Sequence, residues 1–181
     1  MAGGTIVDAT IIAAASSTKN QGKACDPEMH QTRKGQQWYF GMKLHIGVDS
    51  QTKLIHSLMT TAANVHDAKV LGDLLHGDER RVYGDQAYRG QGAAIREHAP
   101  RARDFTNQCY RCHGMVDVVE RGKNRTKSLV RSKVEHPFPV IKRALGFVKV
   151  PYRGLAKTTE RLWVKCGLAN LFMVRHRLLH A

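Results

Sequence analysis

The most constraining feature of the sequence is an uninterrupted alternation of side chains between Trp38 and Asp49. Apolar residues occupy every second position, with Tyr, Gly, Lys, His and Asp between them. Successive side chains of a β-strand point to opposite faces, so this pattern predicts one long strand with one buried face. The polar run from Asp49 to Lys53 predicts a turn, and the apolar segment Leu54–Met59 predicts an antiparallel return strand.

Shorter patterns indicate two further strands and one loop. The β-branched segment Thr5–Ile12 predicts a strand with Asp8 inside it. The segment Arg81–Asp85 predicts a second strand that ends on an acid, beside a turn that contains glycine. Residues 16–37 are polar, contain Gly and Pro, and predict an exposed loop.

Apolar stripes at helical spacing predict three helices, of which the C-terminal one has the clearest pattern. Their expected extents are Asn64 or Asp67 to Gly77, Ser128 to about Leu145, and about Thr158 to Leu179. Residues 101–127 show no pattern that assigns a structure. Strands that alternate with helices in this order predict an α/β fold, with a mixed sheet flanked by helices.

Length and composition limit the class of protein. A chain of 181 residues with 42% hydrophobic and 24% charged residues predicts one globular domain over residues 1–181. No apolar run reaches 18 residues and no secretory leader is visible, so neither a membrane span nor secretion is expected. The four cysteines are irregularly spaced, which predicts a reducing, cytoplasmic compartment rather than a disulfide framework.

Positive charge is concentrated in the second half of the chain. Residues 1–100 carry 11 Lys and Arg against 10 Asp and Glu, whereas residues 101–181 carry 18 against 5. The formal net charge of the whole chain is +14. This excess predicts a polyanionic partner, most simply nucleic acid, held by the second half beside a near-neutral first half.

Three acids stand out by their surroundings. Asp8 interrupts a strand, Asp85 ends one, and Glu135 lies in a helical segment rich in Arg and Lys. Carboxylates that converge from separate elements suit Mg²⁺, which prefers oxygen ligands and catalyses phosphoryl transfer in pairs of ions. The alternative is that Asp8 faces solvent and that Asp85 only caps a turn.

Two cations accompany Glu135, and one further acid is ambiguous. On a continuous helix, Arg131, Glu135 and Lys142 would share one face, as a metal and phosphate site requires. A surface salt-bridge ladder would give the same spacing. The pair His66-Asp67 could act in acid–base chemistry, but its place at a helix start favours Asp67 as a cap.

At these residues the sequence resembles the DDE transposases of bacterial insertion sequences, in the insertion-sequence-five group. Six ordered segments carry the resemblance, which spans nearly the whole chain. They are Thr5–Thr10, Trp38–Asp49, Asn64–Asp67, Asp85 with its neighbours from Gly84 to Gly90, Arg131–Arg143, and Tyr152–Lys157. The resemblance implies a ribonuclease H-like fold with Asp8, Asp85 and Glu135 as the catalytic, metal-binding acids.

The same resemblance implies cofactors and partners. Two Mg²⁺ ions are expected, with Mn²⁺ as a substitute. The substrate is expected to be double-stranded DNA: the inverted-repeat ends of a transposon and a target. The predicted DNA contacts are Arg131, Lys142, Arg143, Arg153 and Lys157. A homodimer or larger assembly on DNA, in a bacterial cytoplasm at the nucleoid, is also implied.

The sequence departs from the family pattern at two places. Members of the group carry an additional N-terminal region, whereas seven residues precede Asp8 here, which predicts a catalytic core without that region. Pro139 follows Pro137, and such a pair predicts a helix that starts or bends there, leaving Lys142 out of line with Glu135.

These features predict metal-dependent cleavage at transposon ends, followed by attack of the freed 3′-hydroxyl on target DNA. Two other functions are compatible with the same residues. One is a DNA-binding transposase remnant without catalysis. The other is a ribonuclease H-fold nuclease that acts on a different substrate, such as an RNA–DNA hybrid or branched DNA.

Overall fold

The computed structural model describes residues 3–19, 21–112 and 114–180, which form a mixed α/β fold. Its strands are β1 (Thr5–Ala13), β2 (His30–Lys34), β3 (Gln37–Asp49), β4 (Ile55–Ala62), β5 (Arg81–Tyr83), β6 (Arg103–Asp104), β7 (Arg111–Cys112) and β8 (Met115–Val116). Its α-helices are α1 (Gly92–His98), α2 (Val118–Arg131), α3 (Pro137–Pro139) and α4 (Leu155–Leu179). The predicted α/β class is confirmed.

The main sheet combines parallel and antiparallel pairs. Its strand order is β2-β3-β1-β5-β6, and β4 pairs with β3. Strands β1, β5 and β6 are parallel neighbours, whereas β2 and β3 are antiparallel. Strands β7 and β8 form a separate antiparallel ribbon. The sheet is therefore mixed, as predicted.

The chain divides into two compact units. The first unit contains residues up to Asp8, Ile46–Ser57 and His66–His136. The second unit contains Ala9–His45, Leu58–Val65 and the chain from Pro137 onward. The single domain expected over residues 1–181 stays a prediction.

Strand β3 confirms the long predicted strand but is buried on both faces along most of its length. Met42, Leu44, Ile46 and Val48 have no exposed surface, as the alternation predicts. The intervening positions from His45 onward are buried as well. The expectation of one buried face is therefore wrong from His45 onward, where side chains on both faces of the strand are buried.

The glycine at position 41 of β3 allows the backbone of β3 to lie close to that of β1. A Cβ at Gly41 would overlap the carbonyl oxygen of Ile12 and approach the backbone nitrogen of Ala14 to 2.9 Å. The carbonyl oxygen of Gly41 also accepts a hydrogen bond from the Ala63 backbone N–H at 3.2 Å. Any side chain at position 41 would separate these backbones.

Strand β2 lies within the segment predicted to be a loop. His30–Lys34 pairs with Gln37–Gly41 through a turn at Gly35, whose φ is +62°. Four of its five residues are exposed, so no buried face exists to produce an apolar alternation. The loop prediction for residues 16–37 is therefore wrong over these five residues, because edge pairing depends on backbone hydrogen bonds.

The helix predicted from Asn64 or Asp67 to Gly77 forms only as two 3₁₀ turns, Asp67–Val70 and Gly72–Leu74. Of the apolar stripe that predicted the helix, Leu71 and Leu74 are buried, whereas Ala68 and Leu75 are half-buried. A Cβ at Gly72 would meet the imidazole of His98 on α1, with contacts from 2.5 Å. The 3₁₀ turns, which are narrower than an α-helix, thus lie close to α1 at Gly72.

The helix predicted from Ser128 to Leu145 is instead a series of different helical types. Helix α2 ends at Arg131 and is followed by a 3₁₀ turn, Ser132–Glu135, then by α3 and a π-helix, Val140–Ala144. The change to π geometry follows Pro139, which has no N–H to donate. The prolines thus interrupt regular α geometry, as predicted.

The C-terminal helix is confirmed as α4, which begins at Leu155, three residues earlier than expected. Leu162, Cys166 and Ala169 line its buried stripe. The N-terminus of α4 is capped from the loop before β2: Asp26 accepts the Gly154 N–H and Glu28 accepts the Leu155 N–H. Within the described residues, no helix has the length and apolar character to cross a membrane.

A buried polar cluster connects the beginnings of β1 and β5 in the first unit. Glu79 is 1% exposed and accepts the backbone N–H groups of His76 and Gly77, both at 2.8 Å. The Thr5 hydroxyl donates to the same carboxylate at 3.2 Å and lies 3.1 Å from Nε2 of His56. Glu79 therefore fixes the turn before β5 relative to the first residue of β1.

Two histidines complete this cluster. The rings of His56 and His76 meet edge to face with centroids 5.0 Å apart, and Nε2 of His76 lies 3.4 Å from Glu79. Burial lowers the pKa of His56, and the nearby His76 lowers it further. Glu79 and Asp49 oppose this shift without reversing it. His56 therefore prefers the neutral form in the folded protein.

Candidate functional site

The parallel register of β1 and β5 bears on the position of two predicted acids. Thr5 pairs with Val82 and Ile6 with Tyr83, an offset of 77 residues. The pairing ends at Tyr83, and the same register continued two residues beyond β5 would set Asp8 opposite Asp85. Opposite residues of parallel neighbours point to the same face of a sheet, so this register favours proximity of the two side chains.

Asp85 also shapes the turn that follows it. Its backbone is extended, with φ −75° and ψ −173°, and its carboxylate accepts the Ala87 N–H at 2.9 Å. This hydrogen bond caps the 3₁₀ turn Gln86–Tyr88. The simpler interpretation of Asp85 as a turn cap is therefore confirmed, and it is compatible with a position near Asp8.

The capped turn directs Tyr88 into the interior beside these acids. Tyr88 has no exposed surface. Burial raises the pKa of its phenol, and the negative charges of Asp67, Asp8 and Asp85 raise it further. Its hydroxyl oxygen is buried and has no hydrogen-bond partner among the described residues. The negative charges of three carboxylates thus act on one neutral, buried phenol.

Asp67 is the member of this group whose role sequence reasoning misassigned. The residue that caps the 3₁₀ turn is His66, whose Nδ1 accepts the Ala68 N–H at 3.3 Å. The interpretation of Asp67 as the cap is therefore wrong. The sequence did indicate that Asp67 has a role beyond capping, because it lies in the segment Asn64–Asp67, which carries part of the family resemblance.

Arg131 connects Asp8 with Glu135. One guanidinium nitrogen lies 3.6 Å from the Asp8 carboxylate and another lies 3.9 Å from the Glu135 carboxylate. Asp8 and Arg131 are largely buried, whereas the Glu135 side chain is 63% exposed. The predicted proximity of Arg131 and Glu135 is confirmed. Both acids are consequently close to one positive charge at the end of α2.

Lys142 is anchored within the second unit. Its amino group donates to the Thr10 hydroxyl at 2.7 Å and to the Ile11 carbonyl oxygen at 2.8 Å. Burial lowers the pKa of Lys142, and the charge of Lys34 adds to the effect. The helical face expected from Arg131 to Lys142 assumed a continuous α-helix, and that assumption is wrong.

The other predicted DNA contacts are on the surface. Arg143 and Lys157 are exposed, on the π-helix and on the first turns of α4. Arg153 is exposed and donates to the Cys25 carbonyl oxygen at 3.2 Å. Their role in DNA binding stays a prediction.

The carboxylates of Asp8 and Asp85 fit Mg²⁺ in their chemistry. This ion usually takes one or two carboxylates, with water and substrate oxygens as its other ligands. In residues 3–19, 21–112 and 114–180, no group of three or more His, Cys, Asp or Glu side chains is placed to hold one ion. Glu135 contacts Arg131 instead. The β1–β5 register thus favours proximity of Asp8 and Asp85, and Arg131 lies at ion-pair distance from both Asp8 and Glu135.

A solved structure shares this architecture. The chain is similar to the piggyBac transposase in a cryo-EM structure of its synaptic complex with hairpin DNA, with a TM-score of 0.59 and 9% sequence identity. The match covers 98% of this chain and 48% of the other, so this chain spans about half of that protein's length. The likeness confirms the expected mixed α/β, ribonuclease H-like fold.

The sequence also matches a family. The model of the family described as "Transposase DDE domain" covers residues 2–171, which is most of the chain and includes Asp8, Asp85 and Glu135. The resemblance to DDE transposases, first found in six short segments, is thereby confirmed at the level of the family. The chain belongs to the transposase DDE domain family.

Proposed function

We propose that this chain is the catalytic domain of a DNA transposase of the insertion-sequence-five group. In this proposal it cleaves DNA at the ends of a mobile element and joins the freed 3′-hydroxyl to target DNA. The observation that carries the proposal is the β1–β5 register, which favours proximity of Asp8 and Asp85 in a chain of the DDE family. Paired carboxylates on neighbouring strands suit metal-assisted phosphoryl transfer.

Asp8, Asp85 and Glu135 would hold Mg²⁺, or Mn²⁺ in its place. When bound, the ions supply Lewis-acid charge at the attacking and leaving oxygens. The contribution of Arg131 follows from its two ion pairs, because it offsets negative charge at Asp8 and Glu135. Its guanidinium could also pair with a DNA phosphate.

Tyr88 has a proton-holding role in this proposal. Burial and the charges of three carboxylates disfavour the phenolate, so the hydroxyl keeps its proton at working pH. The hydroxyl has no hydrogen-bond partner among the described residues, so the neutral ring fills the space beside the acids without adding charge.

The DNA is expected to be held mainly by the basic second half of the chain. Arg143, Arg153 and Lys157 are exposed cations that suit phosphate contacts. The piggyBac structure is a complex with hairpin DNA, which supports a DNA partner here. We expect an inverted-repeat end and target DNA as the ligands, a homodimer or larger assembly on DNA, and a bacterial, nucleoid-associated location.

A DNA-binding transposase remnant without catalysis is the second candidate. It is favoured by the Glu135 carboxylate, which pairs with Arg131 and joins no group of three metal-ligating side chains in the described ranges. Magnesium titration separates the candidates. An intact site gains thermal stability on Mg²⁺ binding, because ligand binding shifts the folding equilibrium. A remnant shows no shift, and neither does an Asp8→Asn variant.

The direct test is cleavage of DNA that carries the inverted repeats bordering the gene. Wild-type protein with Mg²⁺ should release 3′-hydroxyl ends, and Asp85→Asn or Glu135→Gln should abolish the reaction. Asp73→Asn and Glu97→Gln are matched controls, because both residues are exposed and neither pairs with Arg131 nor acts on Tyr88. Full activity in Asp85→Asn or Glu135→Gln would refute the assignment.

A further inference from the structure

The first unit contains a cationic pocket where strands β1 and β5 begin. Its volume is about 310 Å³, at the lower end of the roughly 300–1,000 Å³ typical of ligand sites. Three cations line it, Arg80, Arg81 and Lys133, together with the polar residues Ser50 and Gln51. None of its lining residues is acidic in the part of the chain that the structure describes. A pocket with this charge suits an anion.

The pocket lies at the edge of the sheet opposite to the proposed catalytic acids. Gly3 lines it just before β1 begins, whereas Asp8 lies further along that strand. At about 3.3 Å per residue, the part of β1 from Thr5 to Asp8 alone spans about 10 Å. Arg81 is likewise the first residue of β5, whereas Asp85 lies beyond its end. The pocket is therefore separate from the proposed metal-binding acids.

Hydrogen bonds and close packing hold the wall of the pocket in place. Ser50 is 9% exposed, and its backbone N–H donates to the Gly4 carbonyl oxygen at 2.8 Å. The Lys133 amino group donates to the Ser50 carbonyl oxygen, also at 2.8 Å. A Cβ at Gly4 would approach the Arg81 carbonyl oxygen to 2.7 Å, so glycine lets these two segments lie together. The turn after β3, the chain before β1 and the 3₁₀ turn after α2 thus form one fixed wall.

The arginines at this edge repel one another and have no acidic partner. Arg81 of β5 pairs directly with Arg103 of β6 in the parallel register, and like charges so placed destabilise a sheet. Among the described residues, no carboxylate lies within ion-pair distance of Arg80, Arg81 or Arg103. The Arg81 guanidinium lies over the Phe105 ring, 5.8 Å from its centroid, which restricts its position but leaves its charge. A bound anion would offset this repulsion.

The hydrogen-bond donors of the pocket fit a phosphate group. Guanidinium groups, such as those of Arg80 and Arg81, bind phosphate oxygens through paired N–H donors. The Lys133 ammonium has three donors, of which one is used by the Ser50 carbonyl oxygen, so two are left for a ligand. The Gln51 side chain is exposed at the pocket and adds a neutral amide donor. Charge and donors therefore favour the same ligand.

We propose that this pocket binds a phosphate group, held by Arg80, Arg81 and Lys133. The expected source is a phosphodiester of the DNA backbone, and the other source of the same chemistry is a free phosphate. A DNA phosphate bound here lies at the opposite edge of the sheet from the acids, so it positions DNA without touching the reacting atoms. Phosphate binding does not depend on the proposed catalysis, whereas DNA as the source rests on the proposed action on DNA.

The test has one arm for each source, with EDTA present so that no DNA is cleaved. In the first arm, fluorescence anisotropy measures the affinity for a short DNA duplex at several salt concentrations. Each phosphate contact contributes about 0.9 to the slope of log affinity against log salt, so Arg80→Gln/Arg81→Gln should reduce the slope by about 0.9. In the second arm, inorganic phosphate or pyrophosphate at constant ionic strength should raise the melting temperature of wild-type protein but not of this variant.

Two further variants supply the controls. Arg33→Gln/Arg96→Gln removes the same charge from exposed residues that do not line the pocket, and it should keep the slope and the stabilisation by phosphate. Gln51→Glu keeps the size of an exposed side chain but adds a carboxylate at the pocket, so it should lose both signals by repulsion. All these replacements are at exposed positions, so the proteins should fold.

Each outcome decides the proposal. A slope reduced in Arg80→Gln/Arg81→Gln and Gln51→Glu, but not in the control pair, supports it with DNA as the source. An unchanged slope, with stabilisation by phosphate or pyrophosphate that both pocket variants lose, supports it with a free phosphate as the source. Pocket variants that behave like the control pair in both arms would overturn it. Wild-type protein that shows the pocket signals but cleaves no DNA under Mg²⁺ would contradict the catalytic proposal alone.

Discussion

Replacing Glu79 with glutamine is expected to destabilise the first unit strongly, although the two side chains have nearly the same shape. The Glu79 carboxylate is buried and uses both oxygens: Oε1 accepts from His76 and Thr5, and Oε2 accepts from Gly77. Glutamine has one acceptor oxygen and an NH₂ group that can only donate. One of the two backbone N–H groups must then lose its partner.

The size of the effect follows from those contacts. A hydrogen bond to a charged group contributes about 1.5–3 kcal/mol, and an N–H left buried without an acceptor costs about 1–3 kcal/mol. Because these costs overlap, the expected loss in the free energy of unfolding of Glu79→Gln is about 3 kcal/mol. For a chain of this length, that corresponds to a melting temperature lower by roughly 6–12 °C.

Urea denaturation followed by far-UV circular dichroism is the suitable assay. Both tryptophans, Trp38 and Trp163, are more than half exposed, so their fluorescence would report unfolding poorly. A reduced midpoint with an unchanged m value would identify a change in stability alone.

Glu97→Gln serves as the control for this substitution, because Glu97 is exposed on α1 and its replacement should change stability by less than about 0.5 kcal/mol. If Glu79→Gln proves as stable as this control, the carboxylate is not the acceptor that holds the turn before β5. The account of the buried cluster would then be wrong.

Three further outcomes are expected. Tyr88→Phe should leave the free energy of unfolding unchanged or raise it by about 1 kcal/mol, because it removes a buried hydroxyl without a partner among the described residues. In calorimetry the variant should unfold no earlier than wild type, and a clear loss of stability would show that the Tyr88 hydroxyl has a partner. His56 binds a proton more weakly when folded, so stability should fall as the pH drops below 6.5 toward the lowered pKa. Melting curves across pH should show a shallower fall for His56→Gln, and an unchanged slope would assign the effect elsewhere. Gly41→Ala should lose more than about 3 kcal/mol, since its Cβ would overlap a carbonyl oxygen of β1. Gly167→Ala, which meets open space, should be neutral or stabilising in the same denaturation assay.

Local patterns predicted the elements whose burial is one-sided or whose spacing is regular. Strand β3 and helix α4 were identified from side-chain periodicity, and β1 and β5 from short runs of strand-forming residues. Strand β2 was missed, since its exposed residues carry no such periodicity. The segment Asp67–Leu74 was identified as helical but not as 3₁₀, because an apolar stripe does not specify the backbone hydrogen-bond pattern.

The acids of the candidate site show the same limit of prediction from local sequence patterns. Asp8 and Asp85 were recognisable because each occupies a strand environment that disfavours carboxylates. Asp67 was assigned to the wrong role, since local reasoning cannot show that its charge acts on Tyr88. Glu135 and Arg131 were paired correctly from their four-residue spacing, which is a local property of helices.

The sequence by itself determined the family, the strand-forming segments, the segregation of charge and the identity of the candidate acids. Each of these depends on residue type and short spacing along the chain. Tertiary structure alone decided which acids approach each other, because a register of 77 residues between β1 and β5 is set by strand pairing. It also decided that the charges of three carboxylates act on the buried Tyr88 and that cations from distant segments line one pocket. Such proximity arises from packing of segments far apart in the chain, which no local pattern records.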